Sequence, residues 1–160
     1  MSESVKIEKL KTENIGAIVD WCKDKDENFL MQWAGAGYSF PLTKEQIAER
    51  LQKGAEIYEA YLDGRMSGTI EIISRNKQRN SALIGRFVID QSITNKGSGT
   101  KIMSAFLEYL KNECNVSEVT LFVFDFNIGA YKCYQKCGFS EEDTAIRPNG
   151  WKAIAMKKIL

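Results

Sequence analysis

The residues best suited to chemistry lie in one segment, Phe87-Val-Ile-Asp-Gln-Ser-Ile-Thr-Asn-Lys-Gly-Ser-Gly-Thr-Lys-Ile-Met. A run of strand character ends, a polar loop turns, and Gly97-Ser98-Gly99 opens a helix. Glycine lets backbone come close to a ligand. The first N–H groups of a helix have no internal partner, and the helix dipole is positive there. Lys96 and Lys101 add charge. This combination binds phosphate or pyrophosphate. Two other nucleotide loops fit poorly. The Walker form, Gly-x-x-x-x-Gly-Lys-Ser/Thr, is absent. A Rossmann fingerprint would follow the first strand of a βαβ unit and carry a third glycine where Ile102 stands. Taken by itself, Gly-x-Gly also fits an ordinary turn into a helix.

The chain has no histidine. That excludes Ser-His-Asp and Cys-His nucleophile systems and any histidine base. Proton transfer must therefore use carboxylate, tyrosine, cysteine, lysine or water. The cysteines are Cys22, Cys114, Cys133 and Cys137. With no histidine and no Cys-x-x-Cys, no metal site is expected. Cys133 and Cys137 share a helix face, and packing is a better reading of them than metal or redox work.

The elements that must position the loop follow from pattern. Val5–Leu10 reads as a strand, and Ile15, Ile18, Val19 and Cys22 recur at helical spacing. Phe29, Leu30, Met31 and Trp33 form an apolar cluster before a Gly35–Gly37 turn. Thr43 and Gln46 predict a capping box, with Gly54 ending that helix. Ile57–Leu62 and Met66–Ile73, joined by Asp63-Gly64, read as a hairpin. Ala82–Ile89 is the next strand. The second half alternates: a helix over Gly99–Asn112, a strand over Val119–Phe124, a helix over Asn127–Lys136 and a strand over Trp151–Lys158. The expected fold is α/β (α+β): a mixed, mostly antiparallel sheet of six to seven strands with about four helices, in one domain over residues 1–160.

Two motifs in this order resemble the GNAT superfamily of N-acetyltransferases, in its bacterial form. Thr94-Asn95-Lys96-Gly97-Ser98-Gly99 stands where the family has Q/R-x-x-G-x-G/A, between the fourth strand and the third helix. Thr94 departs from the usual Gln or Arg. Asn127, Ala130, Tyr134, Gly138 and Phe139 match the family's N-x-x-A-x-x-x-Y-x-x-x-G-F block after the fifth strand.

The resemblance implies a GNAT acyl-CoA N-acyltransferase fold that uses acetyl-CoA as cosubstrate and no metal. It implies that backbone at Phe87, Val88 and Ile89 pairs with the pantetheine arm. It assigns the pyrophosphate to Asn95, Lys96, Gly97, Ser98, Gly99 and Thr100. Asn127 would bond the pantetheine or its surroundings, and Tyr134 would be the general acid. An amine would attack the thioester directly in a ternary complex, and a phenol near the sulfur would protonate the leaving thiolate. Glu71 is the candidate base and Asp90 a second, although a solvated surface position is the expectation for each. Trp33, Tyr38, Phe40 and Trp151 are candidates for the acceptor wall. The acceptor would be a small-molecule amine or a protein N-terminus. The alternative is a non-catalytic module of the same fold that binds or senses acyl-CoA.

The remaining expectations are bulk ones. Lys and Arg total 22 against 21 Asp and Glu, a net charge of +1, so no nucleic acid is expected as a partner. No apolar run is long enough to span a bilayer, and the polar start lacks a signal-peptide core, so no membrane association and a cytoplasmic location are expected. A homodimer is a family-level expectation.

Overall fold

The computed structural model describes residues 4–94 and 96–160. Among them run seven strands and five α-helices. In chain order these are β1 (Val5–Lys9), α1 (Ile15–Cys22), α2 (Glu27–Ala34), α3 (Lys44–Gln52), β2 (Glu56–Leu62), β3 (Arg65–Asn76), β4 (Ser81–Ile89), α4 (Ser98–Glu113), β5 (Glu118–Phe124), α5 (Ile128–Lys136), β6 (Ser140–Ile146) and β7 (Lys152–Ile159). The strand order is β1-β2-β3-β4-β5-β7-β6. The β1–β2, β2–β3, β5–β7 and β6–β7 ladders are antiparallel, and β4–β5 is parallel. By contacts the chain divides into Met1–Ile73 with Gly85–Thr94, and Ser74–Ile84 with Asn95–Leu160.

In the first unit, Asp63 (φ 49°) and Gly64 (φ 85°) both take the left-handed backbone that a two-residue hairpin demands. They join β2 to β3, as the Asp-Gly pair predicts. The core gathers Ile15 and Ile18 of α1, Leu30 of α2, Ile47 of α3, Ile57 of β2 and Val88 of β4. Thr43 Oγ1 accepts the Gln46 N–H at 3.4 Å, so half of the predicted capping box forms. The Gln46 side chain does not return to Thr43 N–H. It bonds instead to the backbone of Ser39 and Pro41 and holds the entry loop.

The mixed, mostly antiparallel sheet of six to seven strands is as expected, and two elements of the fold lie outside what periodicity reveals. The apolar cluster at Phe29–Trp33 is a full helix, α2, capped by Asp26, whose carboxylate accepts from Phe29 N–H. There are therefore five helices where about four were predicted. The segment from Ser140 is also a strand, β6, that periodicity did not reveal.

Glu59 of β2 is wholly buried and had no place in the sequence reading. Its carboxylate accepts from the backbone and ammonium of Lys11, the amide of Asn14 and the hydroxyl of Tyr61. Burial works against its charge, but the bonds from Tyr61, Asn14 and Lys11 prevail and hold the carboxyl below its ordinary value. A lowered folded-state value gives stability that is present above the unfolded-state value and lost as pH falls through the folded one. Glu59→Gln is therefore expected to cost about 1.5–3 kcal/mol at neutral pH, the worth of hydrogen bonds to a charged group. Denaturant unfolding of both proteins between neutral and acid pH checks this. The gap between them should close on the acid side, and a gap independent of pH would contradict the assignment.

The second unit rests on α4. Ile102, Met103, Phe106, Leu107 and Leu110 form its buried face, and Phe106 is completely enclosed. Each such side chain contributes about 1.5–3 kcal/mol by leaving water. Strand β5 pairs with β7 along its length, from Glu118 opposite Ile159 to Phe124 opposite Ala153. Its pairing with β4 is confined to Ser81–Leu83 against Glu118–Thr120.

Candidate acyl-donor and proton-transfer site

In the second unit the predicted glycine loop does open a helix. Gly97 has φ +78°, a left-handed conformation that L side chains adopt at a cost. A Cβ there would meet nothing within 4 Å, so the space in front of the turn is open. Gly97, its N-cap, has no side chain with which to cap α4. The N–H groups of Ser98, Gly99 and Thr100 precede the first intrahelical bond, which Lys101 N–H donates to Gly97 C=O at 3.2 Å. Lys96 and Gly97 are exposed, and Ser98 is buried. Sixteen aligned peptide dipoles end here. The arrangement fits an anionic diphosphate. Asn95, the first residue predicted for this loop, lies outside the described residues.

Helix α5 packs against this turn. A Cβ on Gly99 would lie 3.7 Å from Cys133 Sγ, and Thr100 Oγ1 donates to the same sulfur at 3.6 Å. Asn127 stands at the N-cap of α5, with its side chain accepting from Ala130 N–H at 3.3 Å. Two turns on, Tyr134 is 8% exposed, its ring edge-on to Phe139 at 6.0 Å. Its hydroxyl has no hydrogen-bond partner among the described residues. Burial, then the neighbouring Cys133 and Cys137, push this phenol above its ordinary range. It therefore carries its proton at neutral pH and has that proton to give.

In the first unit the structure gathers a carboxylate cluster. Glu71 is 3% exposed, not a solvated surface acid. Arg50 of α3 donates to both its oxygens, at 2.5 and 2.6 Å, and Arg86 of β4 donates to Oε2 at 2.9 Å. Arg86 reaches it from a left-handed backbone position (φ 49°) within β4, and also donates to Ala34 C=O. Such a conformation costs on the order of 1–3 kcal/mol in a non-glycine residue. Asp90 is buried as well. It caps the turn after β4 by accepting from Ser92 and pairs with Arg65 at 3.1 Å. Both candidate bases thus already have partners. Arg50 and Arg86 escaped the sequence reading. The one available signal was a charged residue inside the otherwise apolar run Ala82–Ile89.

Trp33 and Tyr38 meet at 5.9 Å, and Arg50 lies over the Tyr38 ring. Phe40 is exposed. Trp151 belongs to the second unit, where it packs edge-on against Phe124 and Phe126. Phe87 and Ile89 are half-buried and Val88 is buried. No cluster of potential metal ligands occurs among the described residues, and no helix there is long and apolar enough to cross a membrane.

A mixed seven-stranded sheet, a parallel β4–β5 pair joined through α4, and an uncapped glycine turn at the head of that helix define an acyltransferase-type fold. The sequence matches the Acetyltransferase (GNAT) family over residues 15–139, and the chain belongs to that family. It is 37% identical over 67 residues to the kanamycin resistance protein of Rhizobium radiobacter, a match covering 39% of this chain and 62% of that protein. It is 30% identical over 83 residues to the spermine/spermidine N(1)-acetyltransferase of Bacillus subtilis (strain 168), covering 51% of this chain and 55% of the other. These matches therefore span less than two thirds of either relative. Aminoglycoside acetyltransferase AAC(6')-Ib in complex with coenzyme A superposes with a TM-score of 0.76 at 22% identity, over 98% of this chain and 95% of the other. Spermidine N-acetyltransferase from Vibrio cholerae, in complex with CoA and spermine, gives 0.79 at 16% identity, over 97% and 95%. Likeness at these identities bears on fold.

Proposed function

We propose that this chain transfers an acetyl group from acetyl-CoA to a primary amine. The observation that carries the reading is the open, uncapped first turn of α4 behind Gly97. Lys96, Gly97, Ser98, Gly99 and Thr100, with Asn95, would hold the diphosphate. Backbone of Phe87, Val88 and Ile89 would meet the pantetheine and polarise the thioester carbonyl. The amine nitrogen bonds to the carbonyl carbon, the carbon–sulfur bond breaks, and the leaving sulfur takes the proton of Tyr134, which solvent restores. Asn127 already caps α5 and so fixes the pitch at which Tyr134 is presented.

The attacking amine must also lose a proton. Glu71 can take it only if Arg50 or Arg86 swings away. With both in place, Glu71 fixes two guanidinium groups and water takes the proton. The acceptors named for the relatives include aminoglycosides, polyamines and L-amino acids, which makes small primary amines the first acceptor class to test.

Tyr134→Phe is expected to lower turnover by about 10²–10⁴-fold, the usual contribution of a positioned acid. The acetyl-CoA dissociation constant should stay close to that of the wild type. Calorimetric titration with acetyl-CoA, paired with thiol release against a panel of amines, measures both. Unchanged turnover would remove Tyr134 from the chemistry. The paired state of Glu71 and Asp90, together with Thr94 in place of the family's Gln or Arg, favours a second reading, a module that binds acyl-CoA without turnover. Binding with no thiol release from any amine would be its signature.

A further inference from the structure

Cys133 and Cys137 do more than fill space. Both sulfurs lie on the first turns of α4: Thr100 Oγ1 donates to Cys133 Sγ at 3.6 Å, Cys137 Sγ donates to Thr100 C=O at 3.7 Å, and Ser104 Oγ is 3.6 Å from Cys137 Sγ. Cys133 is half-buried and Cys137 is 8% exposed. Tyr134, the proposed acid, stands between them in sequence. We infer that Cys133 and Cys137 form a reversible redox pair, closed to a disulfide by a hydroperoxide, that switches the donor site off.

The surroundings suit this chemistry. The neighbouring Cys133 and Ser104 draw Cys137 below the ordinary thiol range, against the opposing effect of burial, with Lys158 nearby. A thiolate, not a thiol, is the nucleophile. The Cys137 thiolate attacks one peroxide oxygen, the O–O bond breaks, and the departing oxygen takes up a proton to leave as water or an alcohol. Cys133, now deprotonated, attacks the sulfenic sulfur. A sulfur–sulfur bond forms, and the sulfenic oxygen leaves as water. Two electrons and two protons pass from the thiols to the peroxide, and the balance is complete.

Closing the bond must move backbone. Helical neighbours four apart hold their Cβ atoms about 5–6 Å apart, whereas a disulfide requires about 3.5–4.5 Å. The last turn of α5 can yield, because Cys137 is its C-cap and Gly138 (φ 97°) follows. The turn that tightens is the turn that carries Tyr134. It also draws Cys133 away from Thr100 in the first turn of α4. A shift of about 1 Å at a catalytic group costs on the order of 100-fold in rate.

The inference about activity rests on the acetyltransferase reading, whereas the bond itself does not. Full-length protein is treated with hydrogen peroxide, quenched and digested with trypsin. Cleavage after Lys132, Lys136 and Lys152 leaves the peptide 133–136 joined to 137–152 only if the disulfide has formed. The expected result is that linked pair, with the intact mass lower by two hydrogens. Acetylation should fall by about 100-fold and return on adding dithiothreitol. Cys133→Ser should keep the reduced protein's turnover and lose the peroxide response. Peptides that remain separate, carry sulfinic acid, or are joined through Cys22 or Cys114 would overturn the redox pair. A linked pair in a protein that never bound acetyl-CoA would leave the pair intact and overturn the acetyltransferase reading instead. A linked pair with unchanged turnover would overturn the switch.

Discussion

Gly97→Glu is expected to bind acetyl-CoA more weakly than the wild type by about 100-fold or more, because a carboxylate placed against an anion costs several kcal/mol and each 1.4 kcal/mol is tenfold. Two effects act at that position, and a second substitution separates them. Any L side chain at φ +78° costs about 1–2 kcal/mol of backbone strain. That cost falls on folding, since the space around the Cβ is open. Gly97→Ala should therefore lower thermal stability slightly and keep acetyl-CoA affinity close to the wild type. Calorimetric titration of both variants, with circular dichroism to establish that each is folded, decides the matter. A folded Gly97→Glu with unchanged affinity would place the diphosphate elsewhere.

Glu71→Ala is expected to lower the unfolding free energy by about 3–5 kcal/mol, because it leaves two partly buried guanidinium groups without their anion. Arg50 and Arg86 are 25% and 20% exposed, so neither can recover full hydration without moving. For a chain of this length that is a fall in melting temperature of roughly 10 °C. Differential scanning calorimetry measures it, and a melting temperature equal to the wild type would end the clamp interpretation. Glu71→Gln asks about chemistry instead. It keeps the shape and one good acceptor, so it should fold. Turnover in the folded Gln variant that falls by about 100-fold would make Glu71 the base. Turnover near the wild type would leave deprotonation to water.

Features written into a few neighbouring residues were legible in the sequence. The glycine turn into α4 was one, because Gly97, Gly99 and the start of an amphipathic helix fix their own backbone. The Asp63-Gly64 hairpin is of the same kind. Helix α2 escaped because its apolar residues, Phe29, Leu30, Met31 and Trp33, fall almost in a row and obscure the 3.6-residue period. Strand β6 escaped because all seven of its residues are exposed, leaving no alternation to read. The carboxylate clusters escaped for a tertiary reason. Glu59 and Glu71 are buried only because Tyr61, Asn14, Lys11, Arg50 and Arg86 are brought to them by other elements. The positive φ of Arg86 is imposed from outside in the same way: nothing in Ile84-Gly85-Arg86-Phe87 announces it.

β6 ends the strand order, with β7 on one side. An outermost strand presents a row of backbone donors and acceptors on which foreign chains can nucleate. Glu141, Glu142 and Asp143 cluster there, and the register slips between Glu141 and Asp143. Mutual repulsion and a broken hydrogen-bond repeat both discourage a second molecule from adding in line. The least sheltered strand is thereby the one least able to seed a fibril, and it is protected by charge where other proteins use a covering helix.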